Sequence, residues 1–422
     1  MYFTRLRITS HHKRYPYKGP SVTKKFDPAS TIQDLRVRED SGGVNPSITD
    51  SSTFAFSSPA KMAELFESEI EGCFLYSRHF NPTNVALAKA LAALEGTEAC
   101  QVTGSGMGAI TSAILQLCRT GDEIVSSWTI YGGTYAFFAN FLPRLGIKVS
   151  FVDMTDPKMV ELAITDKTKV LYCESMSNPL LEVPDFAALS NLADKHDLSL
   201  VVDNTFAPYL LAPARHGADI VIHSLTKFIN GSSDCVAGAI CAPKKFISQV
   251  TDIHEGACML FGPVLDSLRS ASILKNLHTL HLRMRQHSVN AMYLAERLHA
   301  DGIKVHYPGL AHHPQHELMK SMMAESYGFG GMLVLDVKTD EAASKLMALM
   351  QARLVGFLAV SLGYFKTLFS APASSTSSEI PEIIQTRMGL SDGMVRLSVG
   401  LDNDIEQTYE RISGCLKELG LN

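Results

Sequence analysis

Between about Phe80 and Ala242 short apolar runs of strand character alternate with stretches of helical periodicity, and no feature of the chain restricts its fold more. The runs fall at Glu123–Ser127, Lys148–Asp153, Val170–Glu174, Ser199–Asp203 and Ile220–His223, with a helix expected over Asp185–Asp197. A short run that is apolar throughout has to be buried on both faces, as happens in a parallel sheet covered by helices. Successive parallel strands need crossovers long enough to hold a helix, which is the spacing seen. The alternation therefore predicts an α/β fold with a mostly parallel central sheet, and chemistry beyond the carboxyl ends of its strands.

After Pro263 the pattern changes. A long helical stretch runs to about Ala300, Gly328–Val337 reads as a strand, Thr339–Gln351 as a helix and Met394–Gly400 as another strand, with a polar run at Ala373–Glu379 between them. This predicts a smaller α+β C-terminal domain and a division into an N-terminal arm and intersubunit segment (1–68), a larger domain (69–268) and a C-terminal domain (269–422). With 46% hydrophobic residues, 422 residues supply apolar material for more than one core. A net charge of −5 gives no global field to hold nucleic acid. No run approaches the ~18 apolar residues of a membrane span, so neither nucleic acid nor membrane is an expected partner.

Met1–Lys25 differs from the rest: it has no acidic residue and carries Arg5, Arg7, Lys13, Arg14, Lys18, Lys24 and Lys25. It lacks the apolar core of a secretory signal, and Pro16 and Pro20 interrupt any amphipathic helix. It reads as a flexible or partner-clasping arm, with a transit peptide as the rival reading. The eight cysteines form no C-x-x-C pair and most sit in apolar surroundings, which points to a reducing cytoplasm and to no structural metal.

Three stretches and one separate tyrosine carry candidate chemistry. Asp219–Gly231 is a buried strand that delivers Ser224, Thr226 and Lys227 into a loop. An amine flanked by apolar residues can be held unprotonated and condense with an aldehyde, and neighbouring hydroxyls can hold a phosphate. Leu200–Phe206 ends an apolar strand in Asp203, whose charge needs a cationic partner such as a protonated pyridine nitrogen. Thr103–Ile110 opens a helix with small residues whose N–H groups can approach an anion, and Tyr131 could stack on a planar ring. Each has a plain alternative: an exposed lysine, a turn aspartate, a glycine-rich helix start that binds nothing. It is their occurrence together that favours a site.

Seven ordered motifs strengthen this reading: Tyr76–Thr83, Ser105–Met107, Tyr131–Thr134, Val201–Phe206, Ser224–Lys227, Val360–Gly363 and Val395–Gly400. From about Gly43 to the C-terminus the chain resembles the γ-family of pyridoxal-phosphate (PLP) enzymes of cysteine and methionine metabolism, particularly its plant-type methionine γ-lyase branch. The resemblance implies fold-type I, with PLP as cofactor and Lys227 as the lysine that binds it covalently. It implies Asp203 as the partner of the pyridine nitrogen and Tyr131 as the ring-stacking acid or base. Gly106, Met107, Ser224 and Thr226 would hold the phosphate, while Asn178, Ser361, Thr376 and Arg396 would hold the substrate. Tyr76 and Arg78 would reach the phosphate of a neighbouring subunit's cofactor, so a homo-oligomer with shared sites is implied, a tetramer built as a dimer of dimers. Ser232 departs from the pattern, standing where many members have His.

Relatives that accept cystathionine tend to carry polar groups where this chain has Leu75, Ala136 and Val360. The charged far end of cystathionine would be unpaired against apolar side chains, whereas a methyl thioether would lose nothing. The expected activity is γ-elimination of methionine or homocysteine to 2-oxobutanoate, ammonia and a thiol. The alternatives are γ-replacement on an O-acyl-homoserine, cystathionine γ-elimination, and a non-catalytic PLP carrier.

Overall fold

The computed structural model describes residues 27–35, 42–67, 72–375, 377 and 379–421. The basic arm Met1–Lys25 and the candidate Thr376 lie outside them.

The larger sheet is built from β1 (Ala99–Thr103), β2 (Glu123–Ser127), β3 (Lys148–Val152), β4 (Thr168–Glu174), β5 (Ser199–Asp203), β6 (Ile220–Ser224) and β7 (Gly238–Ala242). Their order is β1-β7-β6-β5-β4-β2-β3. The strands from β6 to β3 are parallel to their neighbours, and β7 runs antiparallel to both β6 and β1. The five expected strands are present with ends shifted by up to two residues. β1 and β7 were not among them, because Ala-Cys-Gln-Val-Thr and Gly-Ala-Ile-Cys-Ala are small residues with little strand preference. Gly238 in β7 has no room for a side chain: a Cβ there would lie 2.2 Å from Ser105 O.

The helix expected over Asp185–Asp197 spans Phe186–His196, with the Asp185 side chain accepting from Ala188 N and Asp197 closing it in the left-handed conformation. The helical stretch after Pro263 is two helices, Ser267–Leu277 and Leu280–Ala300, separated at His278–Thr279 without a proline or glycine to announce the break. Leu280–Ala300 leads into a second sheet of β8 (Lys304–His306), β9 (Met332–Asp336), β10 (Phe357–Leu358), β11 (Leu368–Ser370) and β12 (Met394–Ser398), ordered β10-β11-β12-β9-β8. The expected strand Gly328–Val337 begins only at Met332, since Gly328 and Gly330 both have positive φ and cannot extend it. Among the described residues no helix is long and apolar enough to cross a membrane.

This arrangement sets three polar residues in a row at the carboxyl ends of β4, β5 and β6: Glu174, Asp203 and Ser224. The second sheet contributes Arg396 from the middle of β12, where it is flanked by β11 and β9.

Candidate active site

Asp203 closes β5 and is 8% exposed. Its Oδ1 accepts from Thr205 N at 3.0 Å, and the Thr205 hydroxyl in turn accepts from Ser224 N at 2.8 Å, so the ends of β5 and β6 are tied. Burial raises the Asp203 carboxyl above its ordinary value, the mark of a carboxylate in want of a cation. Behind it, Asn204 Nδ2 donates to Glu95 Oε1 at 2.8 Å, and His223 Nε2 lies 2.7 Å from the same oxygen.

Lys227 follows β6 in a turn that ends at Gly231. Its Nζ donates to Ser361 Oγ at 3.0 Å. Burial, and then the Arg396 charge, bring the amine down to about 8, so a minor but accessible share of it, on the order of a tenth, is unprotonated at pH 7. The turn is fastened from behind by Arg283, which donates to Phe228 O and to Ile229 O at 2.9 Å. Gly363 packs so closely on it that a Cβ would meet Phe228 N at 2.4 Å.

Arg396 is 3% exposed in its strand, and burial draws its guanidinium down to about 10. Nη1 donates to Asn178 Oδ1 at 2.7 Å and Nη2 to Ser361 O at 3.4 Å. Ser361 has φ 152°, a region costly for a residue with a Cβ, and it therefore stands as a strained joint between Lys227 and Arg396. Alongside, a groove of about 910 Å³ is lined by Thr226, Val236, Val264, Phe357, Val360 and Tyr364.

Gly106 opens the helix Gly106–Leu117, capped by the Ser105 hydroxyl, which accepts from Gly108 N at 2.8 Å. A Cβ at Gly106 would lie 2.9 Å from the Cβ of Ser224, so the helix start and the end of β6 approach as only glycine allows. Met107, next along, packs partly buried against the core. The Thr226 hydroxyl is held by Ala237, accepting from its N–H at 3.0 Å.

Tyr131 caps the helix Gly132–Ala136 with its ring over Gly133, where a Cβ would fall 2.6 Å from Tyr131 Cε1. Burial, Glu379 and Glu174 raise the phenol above its ordinary value, so it carries its proton at neutral pH. Among the described residues Tyr76 and Arg78 make no side-chain hydrogen bond to the other members of the set. Tyr76 is 43% exposed, and Arg78 donates to Met259 O at 2.9 Å with its guanidinium 5.8 Å from the Tyr76 ring centroid.

Glu174 was not among the residues expected from sequence. It ends β4 next to Asp203 and accepts from the N–H groups of both Tyr131 and Asn178. Burial, then the Asp203 charge, push it up to about 8. The signal that could have found it is the one that marked Asp203, an acid closing an apolar strand.

The donor set matches what pyridoxal phosphate requires. A partly neutral amine, a buried carboxylate in want of a cation, and a helix start of small residues beside two hydroxyls together suit an aldehyde, a pyridine nitrogen and a phosphate. A family model described as "Cys/Met metabolism PLP-dependent enzyme" matches residues 30–411. The methionine gamma-lyase of Arabidopsis thaliana is 46% identical over 91% of this chain and 88% of its own length. The L-methionine gamma-lyase of Fusobacterium nucleatum subsp. polymorphum is 39% identical over 92% of this chain and all of its own. A solved structure from Campylobacter jejuni, assigned as an O-acetylhomoserine (thiol)-lyase and holding N′-pyridoxyl-lysine-5′-monophosphate, superposes with a TM-score of 0.87 and 27% identity over 93% of this chain and 100% of that chain. The chain belongs to the PLP-dependent enzymes of Cys/Met metabolism.

Proposed function

We propose that the chain eliminates the γ-substituent of L-methionine or homocysteine, consuming water and releasing 2-oxobutanoate, ammonia and the thiol. The observation that carries the reading is the meeting at Ser361 of two functions. Its hydroxyl accepts from the Lys227 amine at 3.0 Å, and its carbonyl accepts from Arg396 at 3.4 Å. A base and a carboxylate clamp are thus held one residue apart, as removal of a proton α to a carboxylate requires. The naming of the two relatives as methionine gamma-lyases supports the choice of substrate, as does the apolar Val360 in the adjoining groove.

When bound, pyridoxal phosphate supplies the electron sink for carbanion formation at the substrate Cα. Lys227 would hold it, with Asp203 at the pyridine nitrogen and Gly106, Met107, Ser224 and Thr226 at the phosphate. Arg396 and Asn178 fork the substrate carboxylate, since a guanidinium matches it bidentately. Thr376 lies on the same polar run as Glu379 and is assigned to this substrate side from sequence alone. Lys227, once its amine is free, takes the Cα proton and then one from Cβ. Tyr131, protonated at neutral pH, gives its proton to the departing sulfur.

We infer further that the active form is a homo-oligomer, a dimer of dimers, in which Tyr76 and Arg78 complete a neighbour's phosphate site. The Arg78 guanidinium donates to Met259 O and to no residue of the set among those described, which supports this. A cytoplasmic location accords with eight cysteines that are all free thiols.

The test is incubation of the purified protein with L-methionine alone. Formation of 2-oxobutanoate with methanethiol supports the proposal. If instead methionine is inert and O-acetylhomoserine is consumed only in the presence of a thiol, the enzyme is a γ-replacement catalyst and the proposal is wrong.

A further inference from the structure

The Glu174 carboxylate spends both of its oxygens on backbone. Oε1 accepts from Tyr131 N at 2.7 Å and Oε2 accepts from Asn178 N at 2.8 Å. Tyr131 belongs to the loop after β2, and Asn178 to the loop after β4 itself. From Asn178 the chain of contacts runs on to Arg396, through Asn178 Oδ1 at 2.7 Å. Glu174 is 6% exposed, so neither N–H has water as a substitute acceptor. A second carboxylate, Glu182, binds the same two loops further out, accepting from the Thr129 hydroxyl at 2.8 Å while its N–H donates to Ser177 Oγ at 3.1 Å. The loop that carries Tyr131 and the loop that carries Asn178 are therefore pinned to each other, and the inner pin lies beside Asp203.

We propose that Glu174 is a positioning residue that fixes the distance between the ring-stacking Tyr131 and the carboxylate clamp of Asn178 and Arg396. The proposal rests on the reading of that clamp given above. Among the described residues no hydrogen bond joins Glu174 to Lys227, Ser224 or Gly106, so the covalent hold on the cofactor and its phosphate cradle do not hang on it, and its effect falls on the placing of Tyr131 against the clamp.

The side chain has to present two acceptor oxygens at glutamate length, for a steric and a chemical reason. A glutamine of the same shape has one acceptor oxygen and an NH2 group, and the NH2 would face a backbone N–H, donor against donor. One of the two loops would then lose its anchor. An aspartate keeps both acceptors but is one methylene short of reaching both N–H groups. Either change loosens the clamp, and loss of one buried acceptor corresponds to about a tenfold change in an affinity that depends on it.

The experiment measures dissociation constants by calorimetry on the holoenzyme for L-norvaline, which has the amino-acid head without a γ leaving group, and for butylamine, which lacks the carboxylate. Glu174→Gln is expected to weaken L-norvaline about tenfold, leave butylamine within about twofold, and leave the PLP content unchanged. In turnover, KM for methionine should rise more than kcat falls. Equal weakening of both ligands, or weakening of neither, overturns the proposal. Glu174→Asp, read in the same way, decides the matter should the glutamine variant not fold. Arg396→Lys serves as the control for the clamp itself. If it too spares L-norvaline, the reading of the clamp fails; if it weakens L-norvaline while both Glu174 variants do not, only the role of Glu174 fails.

Discussion

Lys227 is held in a setting that disfavours its charge, and this gives a stability effect whose sign can be worked out. Its amine titrates near 10.5 in an unfolded chain and at about 8 in the folded one. Below about pH 8 both states are charged and the penalty of burying the ammonium is fully present. Between about 8 and 10.5 the unfolded chain binds more protons than the folded one, so this contribution to stability rises with pH. Cofactor-free Lys227→Met should therefore be more stable than the parent at pH 7, by about 1–3 kcal/mol, with the gap narrowing as pH approaches 10. Urea unfolding at pH 7 and 9.5 measures it, and a gap equal at both values would mean that the lysine charge is not the cause. Lys227, Asp203 and Arg396 were legible in sequence because each is a polar residue in or just after an apolar strand, where an ordinary side chain would be apolar. Glu174 has the same mark, but its meaning depends on two loops whose proximity the sequence does not express. The backbone of Ser361 left no trace in its residue type.

At the scale of elements, legibility followed the strength of the hydrophobic pattern. β2 to β6 are dense in Val, Ile and Leu and could be read; β1 and β7, made mostly of small residues, could not, though they close the sheet beside the helix that starts at Gly106. In β7 and in the turn that follows β1, small residues have a cause in packing. Gly238, Gly106 and Gly104 each meet another chain segment closer than a side chain permits, at Ser105 O, Ser224 Cβ and Val264 O. Residues chosen for close approach weaken the strand signal where the site is built. Gly106→Ala tests the point. Its new methyl would stand 2.9 Å from Ser224 Cβ and push the helix start off β6, away from the Ser224 and Thr226 side of the cradle. PLP affinity, measured by titrating the cofactor-free protein, should fall about tenfold or more while the circular dichroism spectrum is kept, since the strain is local. Unchanged affinity would remove Gly106 from the phosphate site.

For the molecule as a whole, hydrogen bonds within the described chain tie Lys227, Ser361, Asn178 and Arg396 together and join neither Tyr76 nor Arg78 to them. The Arg78 guanidinium donates to Met259 O instead. If these two residues serve a neighbour, the defects of two inactive variants should complement each other. Lys227→Ala spoils the site in its own subunit, whereas Arg78→Ala spoils the site it lends to its partner. In a mixed pair, one site has a lysine from the Arg78→Ala chain and an arginine from the Lys227→Ala chain, and is intact; the other site has neither. Random mixing after mild dissociation makes half of the pairs mixed, with one working site in two, so about a quarter of the parent activity should return. Each variant alone stays near background. Were Arg78 to act within its own chain, every site in every mixture would keep one defect, and no mixing ratio would restore activity.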